Sequence, residues 1–322
     1  MTATDNDIAV IDIRALMLGS SAKGARAASS LCRALEATGF VQVVGHGIDV
    51  GERERFLAAS RAFLEDRAAR ELCRRSAATT RGFADDELTG QKRDGKLLFD
   101  FANEALDGAR VDVFDDSFRE GPNQWPVGKV HTDLRPACLA YFASLYRLST
   151  ILLDAIFAEL GIDSEVVDVG DQHSSFMRVN YYPIAADHKS VGVHAHTDAG
   201  LLTLLWQQSG VEGLQVLREN EWVPIPPIDD ALVVNVGDML QVIVNDRLRA
   251  PRHRVVLQPS TTHSYRLSSP FFLAPTYGTV CRPAPVMPLY RPILWADFRA
   301  KRVAGDYTDL GTEIQIDQYR MD

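Results

Sequence analysis

The spacing of apolar positions changes several times along this chain. Ile8-Ala9-Val10-Ile11-Asp12 reads as a first strand. The Ala- and Ser-rich stretch from Gly24 to Thr38 carries Ala27, Leu31, Ala34 and Leu35 at helical spacing and stops before Gly39, as helices often do before glycine. The pattern predicts another helix over Glu52 to Leu72 and a long one over Leu134 to Leu160, where Tyr141, Leu145, Leu148, Leu152 and Ile156 form one stripe. That stripe is expected to back a sheet. From Ser174 to about Cys281, short β-rich runs alternate with Gly, Pro, Asn and Asp, the composition of an antiparallel sandwich or barrel. No internal repeat is present. Three parts of one unit are expected rather than separable domains: a strand and helical region over 1–170, a β core over 171–285 and a C-terminal tail over 286–322.

Composition narrows the function classes. With 322 residues, 46% hydrophobic and 24% charged, the chain has an ordinary globular composition and can bury a sizeable core. A net charge of -9 argues against a nucleic-acid backbone or an anionic membrane as partner, because both attract basic surfaces. Cys32, Cys73, Cys138 and Cys281 lie far apart with no metal-ligand spacing, so no disulfide framework is suggested. Met1 to Asp7 carries acids and neither a basic n-region nor an apolar h-region, and no run reads as the about 18 apolar residues of a membrane span. A soluble, cytoplasmic protein is the expectation; the sequence says nothing of oligomeric state.

The candidate chemistry centres on His196-Thr197-Asp198. Val191 to His196 reads as a strand, in which positions i and i+2 share a face, so His196 and Asp198 can meet one ion together. A third ligand must come from another strand. His253 stands in Ala250-Pro251-Arg252-His253-Arg254-Val255-Val256-Leu257, with Pro251 at the start of a β-branched run, where a strand tolerates it. Two imidazoles and one carboxylate on one side of an octahedron leave three positions open. That suits non-haem Fe(II) better than the closed tetrahedron of structural zinc. A lone H-x-D is weak, since a solvated pair on a loop is commoner, but Arg266-Leu267-Ser268 adds a guanidinium and a hydroxyl on one face, suited to a carboxylate. Gln258 to His263 is turn-like and predicts a hairpin. With the turn near Ser260 and Thr261, His253 would lie opposite Ser268 with Arg266 two residues along, so a short dicarboxylate would reach from metal to guanidinium.

These residues carry a resemblance. Met177 to Pro183, Gly192, His196-Thr197-Asp198, Gly200 to Leu205, Gly213 to Val216, Val234 to Leu240, His253-Arg254-Val255 and Arg266-Leu267-Ser268 resemble the isopenicillin N synthase-like family of Fe(II)- and 2-oxoglutarate-dependent dioxygenases. The likeness extends through Ile8 to Asp12, Gly39 to Ile48 and Gly121 to Pro126, and so covers most of the chain. It implies an α+β fold with a mainly β core, a double-stranded β-helix or jelly roll flanked by helices. It implies His196, Asp198 and His253 as Fe(II) ligands, and Arg266, Ser268, Tyr182 and Asn180 as contacts of 2-oxoglutarate, with O2 as the second cosubstrate. The implied reaction couples oxidative decarboxylation of 2-oxoglutarate to succinate with oxidation of a C-H bond in a small organic molecule, expected in secondary metabolism. Hydroxylation is the default; desaturation or cyclisation are the other outcomes.

Other positions have competing readings. Tyr182 is equally an aromatic strand residue, and Arg178 is a candidate for structural pairing. Phe272 shares the face of Arg266 and Ser268 and is a candidate to pack against substrate, with plain core packing as its alternative. Arg81 and Phe99 lie where the family lines its pocket, and a cationic, aromatic lining suits a small organic acid, amino acid or peptide. His194 departs from the family, which commonly has a small residue or Pro there. By alternation it shares the face of His196 and Asp198, so it is a candidate for substrate contact or for orienting a ligand, against the alternative of a hydrogen-bonded barrel histidine. A cupin reading of His194-Ala195-His196 fails because Gly200 stands where a cupin has Glu. Asp198 excludes the halogenase subclass, which lacks that carboxylate. Asp238 is expected to be a turn residue, and Trp295 and Phe298 to anchor a tail that is a candidate lid. Two other functions stay open: a substrate-only oxidase of the isopenicillin N synthase type, which keeps a similar Arg-Ser pair, and a non-catalytic ligand-binding barrel, which would be expected to lose its metal ligands.

Overall fold

A computed structural model describes residues 8–19, 21–76, 79–89, 91–104, 121–284, 287–304 and 314–321. In chain order the first half contains β1 (Val10–Asp12), α1 (Arg14–Met17), α2 (Ser21–Thr38), β2 (Phe40–Val44), α3 (Val50–Glu65), α4 (Arg67–Leu72), β3 (Gly82–Ala84), β4 (Leu88–Thr89), β5 (Lys92–Arg93), β6 (Leu97–Ala102) and α5 (Leu134–Leu160). The second half contains β7 (Phe176–Pro183), β8 (Ser190–His196), β9 (Leu202–Gln207), β10 (Leu214–Arg218), β11 (Glu221–Pro224), β12 (Leu232–Val236), α6 (Asp238–Ile243), β13 (His253–Leu257), β14 (Tyr265–Leu273), β15 (Val280–Cys281), β16 (Ile293–Leu294) and α7 (Trp295–Ala304).

Two sheets make the β core. The larger runs β1-β2-β12-β9-β14-β7-β6-β3 and the smaller β11-β10-β13-β8. Strand alternation gives the larger sheet two different faces. Leu204, Val234 and Phe271 pack with the helices in one core, while the next-door residues Leu205 and Val233 pack with Val193, Val216 and Val255 of the smaller sheet in another. The functional cavity lies on this second, inter-sheet side. The arrangement is the expected double-stranded β-helix. Four strands from before residue 170 (β1, β2, β3 and β6) complete the larger sheet.

The helix α5 has the predicted bounds, and Tyr141, Leu145, Leu148, Leu152 and Ile156 are all buried. It ends at Gly161, whose left-handed φ of 67° is a common glycine C-cap. Contrary to the sequence expectation, α5 is long and apolar enough to cross a membrane by length and composition alone; here it packs against α2, α3 and the larger sheet. The helix expected over Glu52 to Leu72 is two helices. Asp66 leaves helical geometry (φ -83°, ψ 95°) and caps α4 by accepting from the Ala69 amide.

The predicted hairpin does not form. β13 pairs with β10 and β8, whereas β14 pairs with β7 and β9, so the chain between them crosses from one sheet to the other. Bonds from Ser260 N to Ala185 O and from Ile184 N to Ser264 O hold this crossing beside the one that joins β7 to β8. His253 therefore faces Arg266 from the opposite wall instead of lying beside it. At the C-terminal end Trp295 and Phe298 are buried, and Trp295 donates through Nε1 to Ser174 Oγ at 2.7 Å. Residues 305–313, in the candidate lid, lie outside the described residues.

Candidate metal centre

β8 and β13 are antiparallel neighbours with His196 directly opposite His253, and Asp198 follows two residues after His196. One ligand atom from each lies within 4.8 Å of the others. Asp198 Oδ1 is 3.6 Å from His196 Nε2 and 3.7 Å from His253 Nε2. The remaining atoms of each group are occupied elsewhere. His196 Nδ1 is 2.8 Å from the His194 carbonyl, and His253 Nδ1 is 3.1 Å from the Pro251 carbonyl. A carbonyl can only accept, so each Nδ1 carries a proton and each Nε2 is turned toward the shared point. Asp198 Oδ2 accepts from Thr203 Oγ1 at 2.6 Å and Asn235 Nδ2 at 2.8 Å, which leaves Oδ1 aimed the same way.

The electrostatics agree with this geometry. Burial, and then the His253 ring, push His196 down to about 4, so it stays neutral. Burial opposes ionisation of Asp198, but the two imidazoles and the bonds from Asn235 and Thr203 outweigh it and hold the carboxyl below its ordinary range. Two imidazoles and one carboxylate, all converging, fit a divalent cation with its far side open.

Register explains the second cluster. Arg266 is opposite Tyr182 and Ser268 is opposite Asn180 across β14 and β7, so alternation on two strands gathers four polar side chains on one face. Arg266 is fully buried, with its guanidinium 5.2 Å from the Tyr182 ring centroid. Its Nη2 donates to Gln207 Oε1 at 2.9 Å, while Nε and Nη1, and Asn180 Oδ1, have no hydrogen-bond partner among the described residues. Buried polar atoms are nearly always partnered, so the two guanidinium donors make this spot a candidate seat for an anionic group, while the Asn180 oxygen can only accept. Two glycines keep the space clear. A Cβ at Gly192 would lie 2.7 Å from the Tyr182 ring, and one at Gly213 3.3 Å from Arg266 Nε.

The three candidate ligands and Arg266, Ser268, Tyr182 and Asn180 line a single cavity. Phe272 lines it too, stacked at 4.5 Å on Phe176, and Arg81 holds its guanidinium 5.1 Å from the Phe176 ring. Phe99 does not line it. Alternation along β6 turns Phe99 to the helical side, against Phe63 at 4.8 Å and Trp125 at 5.7 Å, and Asp100 reaches the cavity instead.

His194 also departs from expectation. The β8–β13 register passes from Val193 opposite Val255 to His196 opposite His253, so His194 and Ala195 together face the single residue Arg254. This is a β-bulge, which breaks alternation and re-aims side chains. Val193 and His196 both line the cavity as a result, whereas His194 turns away and places Nδ1 3.1 Å from Asp94 Oδ1. What His194 offers the metal centre is its carbonyl, not its ring.

Sequence reasoning offered structural pairing for Arg178, as found, but not its partners, and it missed the role of Asp238. Arg178 makes four contacts of 2.7–2.8 Å to Glu87 and Asp100, and Lys96 Nζ lies 2.6 Å from Glu87 and 3.1 Å from Asp94. Burial would raise Glu87, but Arg178, Lys96 and Arg75 prevail and hold it far below the carboxylate range. No spacing signals this cluster, whose members come from separate strands and loops. Asp238, expected as a turn residue, is buried at the start of α6 and accepts from Arg302 Nη2 at 2.8 Å. The same Arg302 donates to the Thr197 carbonyl at 2.9 Å and hydroxyl at 2.8 Å, fixing the residue between His196 and Asp198.

Comparison with known proteins identifies the family. Residues 173–275 match the 2OG-Fe(II) oxygenase superfamily and residues 8–128 the N-terminal region described as non-haem dioxygenase in morphine synthesis. The chain is 31% identical over 306 residues to gibberellin 20 oxidase 2 of Oryza sativa, covering 92% of this chain and 75% of that protein. It is 31% identical over 274 residues to oxoglutarate-dependent flavonoid 7-O-demethylase 1 of Ocimum basilicum, covering 83% and 68%. Among solved structures, a full-length Neurospora crassa protein in complex with alpha-KG and thymine has the same fold, with a TM-score of 0.80 at 21% identity over 95% of this chain and 99% of that one. The dioxygenase for auxin oxidation in rice superposes with a TM-score of 0.73 at 25% identity, covering 98% and 100%. The chain therefore belongs to the 2OG-Fe(II) oxygenase superfamily and is an enzyme that works with Fe(II), 2-oxoglutarate and O2.

Proposed function

We propose that His196, Asp198 and His253 hold Fe(II), that Arg266 and Ser268 take the far carboxylate of 2-oxoglutarate with Asn180 and Tyr182 beside it, and that the oxidation falls on a C-H bond of a small organic acid. Hydroxylation is the default outcome. The observation that carries this reading is Arg266, a buried cation with two vacant donors in the cavity of the histidine-carboxylate triad. A fixed guanidinium suits a carboxylate, and one on the wall opposite the histidines suits a ligand with an anionic group at each end. When bound, the iron supplies the redox chemistry with 2-oxoglutarate as electron source. The chain orients both ends of that ligand and, through the Nδ1 contacts, turns Nε2 of each histidine toward the shared point.

The substrate class follows from the rest of the lining. Arg81 and Arg299 approach the Phe176 ring at 5.1 and 4.8 Å, and Phe176 stacks on Phe272. Guanidinium donors beside aromatic faces favour a molecule with an acid group and a flat or apolar body. The names of the gibberellin and flavonoid enzymes support a small organic substrate and a role in secondary metabolism. We take the three parts over 1–170, 171–285 and 286–322 as one catalytic unit. Its four free, buried cysteines favour a cytoplasmic setting, and its net charge of -9 disfavours nucleic-acid or membrane partners.

The test is anaerobic addition of Fe(II) and then 2-oxoglutarate, which should produce a visible metal-to-ligand band, followed by candidate acids and their neutral analogues scored by succinate release. Absence of the band in the wild-type protein removes the metal and cosubstrate assignments. Substrate oxidation without succinate establishes the substrate-only oxidase in their place, and neutral analogues turned over as well as acids remove the acid class.

A further inference from the structure

β8 is the outer strand of the smaller sheet, so its far edge has no ladder partner among the described residues. Such an edge is a weak point, and here it carries the bulge that sets the direction of His196. The chain around Asp94 covers it. Gly95 N donates to Val191 O at 3.2 Å, and a Cβ at Gly95 would come within 2.7 Å of that carbonyl. Further along the strand, Asp94 Oδ1 accepts from His194 N at 3.1 Å and faces His194 Nδ1 at 3.1 Å. The other carboxylate oxygen is held from behind: Oδ2 accepts from Thr89 Oγ1 at 2.8 Å and lies 3.1 Å from Lys96 Nζ. The Asp94 side chain has no exposed surface.

We propose that Asp94 is a positioning residue for the metal centre. Its Oδ1 grips His194 at the backbone N and ring Nδ1, and the carbonyl of the same residue then meets His196 Nδ1 at 2.8 Å and fixes the ligand ring. The bulged segment is the only part of β8 whose outer N–H is taken by a side chain, among the bonds of the described residues. The chain of contacts runs from Thr89 and Lys96 through Asp94 to His194 and His196. Partners that orient a metal-binding histidine commonly matter as much as about 10–100-fold in metal affinity.

This inference rests on the assignment of His196 as a metal ligand, and its test separates the two. Metal affinity is measured by anaerobic titration of Fe(II), and of Co(II) as a spectroscopic probe, into wild-type protein, Asp94→Ala and Asp94→Asn. Asp94→Asn removes the charge but keeps an acceptor oxygen for His194 N–H. The expected result is an affinity loss of roughly 10–100-fold in Asp94→Ala, most of it restored in Asp94→Asn, with an altered Co(II) spectrum in the first variant alone. Amide hydrogen exchange at His194 in the metal-free protein should quicken in Asp94→Ala and stay slow in Asp94→Asn. Equal losses in both variants would show that Asp94 serves only as counter-charge to Lys96, and unchanged affinity in both would show that the bulge holds itself; either result overturns the proposal. Should Asp94→Ala fail to fold, Asp94→Ser, whose hydroxyl is too short to reach His194, carries the same comparison. A wild-type protein that binds no metal would defeat the metal assignment, while the exchange rates would still decide whether Asp94 holds the bulge.

Discussion

Arg178 on β7, half-buried, and Arg266 on β14, fully buried, stand on walls of the same cavity, and the chain treats them differently. Arg178 meets Glu87 and Asp100 through four short contacts, and those acids outweigh the effect of burial and keep its pKa well above the ordinary value. Arg266 meets the neutral side chain of Gln207 and no acid among the described residues, and burial draws its pKa down, with Tyr182 opposing. One cluster is complete within the protein. The other leaves two buried donors without a partner among the described residues, and on the proposed reading that contrast separates a structural ion network from a binding site where residue type alone does not.

The largest effect should come from the triad. Asp198→Ala or His253→Ala should abolish measurable Fe(II) binding and succinate formation, and should also weaken 2-oxoglutarate although Arg266 is intact, because the ligand would be held at one end. Retained affinity for 2-oxoglutarate would mean that Arg266 serves something other than a metal-bound ligand. Next, Arg178→Met should lower stability by about 3–5 kcal/mol in urea titration, the usual cost of stranding buried charges. Arg266→Met strands none, so without 2-oxoglutarate its stability should match or exceed the wild type, while its affinity for 2-oxoglutarate falls at least roughly tenfold, as expected for loss of charge-assisted bonds of about 1.5–3 kcal/mol each. Equal destabilisation by both substitutions would erase the distinction between the clusters. Correspondingly, saturating 2-oxoglutarate at about a hundred times Kd should stabilise the iron-loaded wild type by about 2.7 kcal/mol and should do much less for Arg266→Met.

The smallest effect concerns a third way of burying an ionisable group, which is to keep it neutral. His173 lies 4.1 Å from the Tyr146 ring in a stack, and burial pushes it from 6.5 down to about 4. Its folded pKa is below the unfolded one, so as pH falls the unfolded chain binds the proton first. Its neutral packing supports the fold fully above about pH 6.5 and is progressively lost as pH falls towards 4. His173→Phe should flatten the fall of Tm between pH 6.5 and 4, and an unchanged slope would place that titration elsewhere.

Much of this is legible in the sequence because it depends on local repetition. The stripe on α5 and the i, i+2 pairs His196/Asp198 and Arg266/Ser268 follow from helix and strand periods. Strand pairing is not local. Each strand has two edges, and the linker after β13 allows either a hairpin or a crossing, so the expected partner of His253 is the wrong one. The bulge at His194 and Ala195 carries no glycine or proline to announce it, so alternation read along β8 fails there. β6 is buried on both faces, and period alone does not say whether Phe99 or Asp100 meets the cavity. The bond from His194 to Asp94 joins residues 100 positions apart, beyond the reach of any window along the sequence.

Arg302 gives the site a dependence on chain order. By holding Thr197 and Asp238 together, α7 ties down the loop that delivers Asp198, although it lies far downstream of the barrel strands. During synthesis, which proceeds from the N-terminus, β8 and β13 emerge and can pair before Arg302 exists. A nascent chain thus acquires both imidazoles first and gains a firmly tethered carboxylate only after α7 has been made, so the order in which the site is assembled follows the order of the chain.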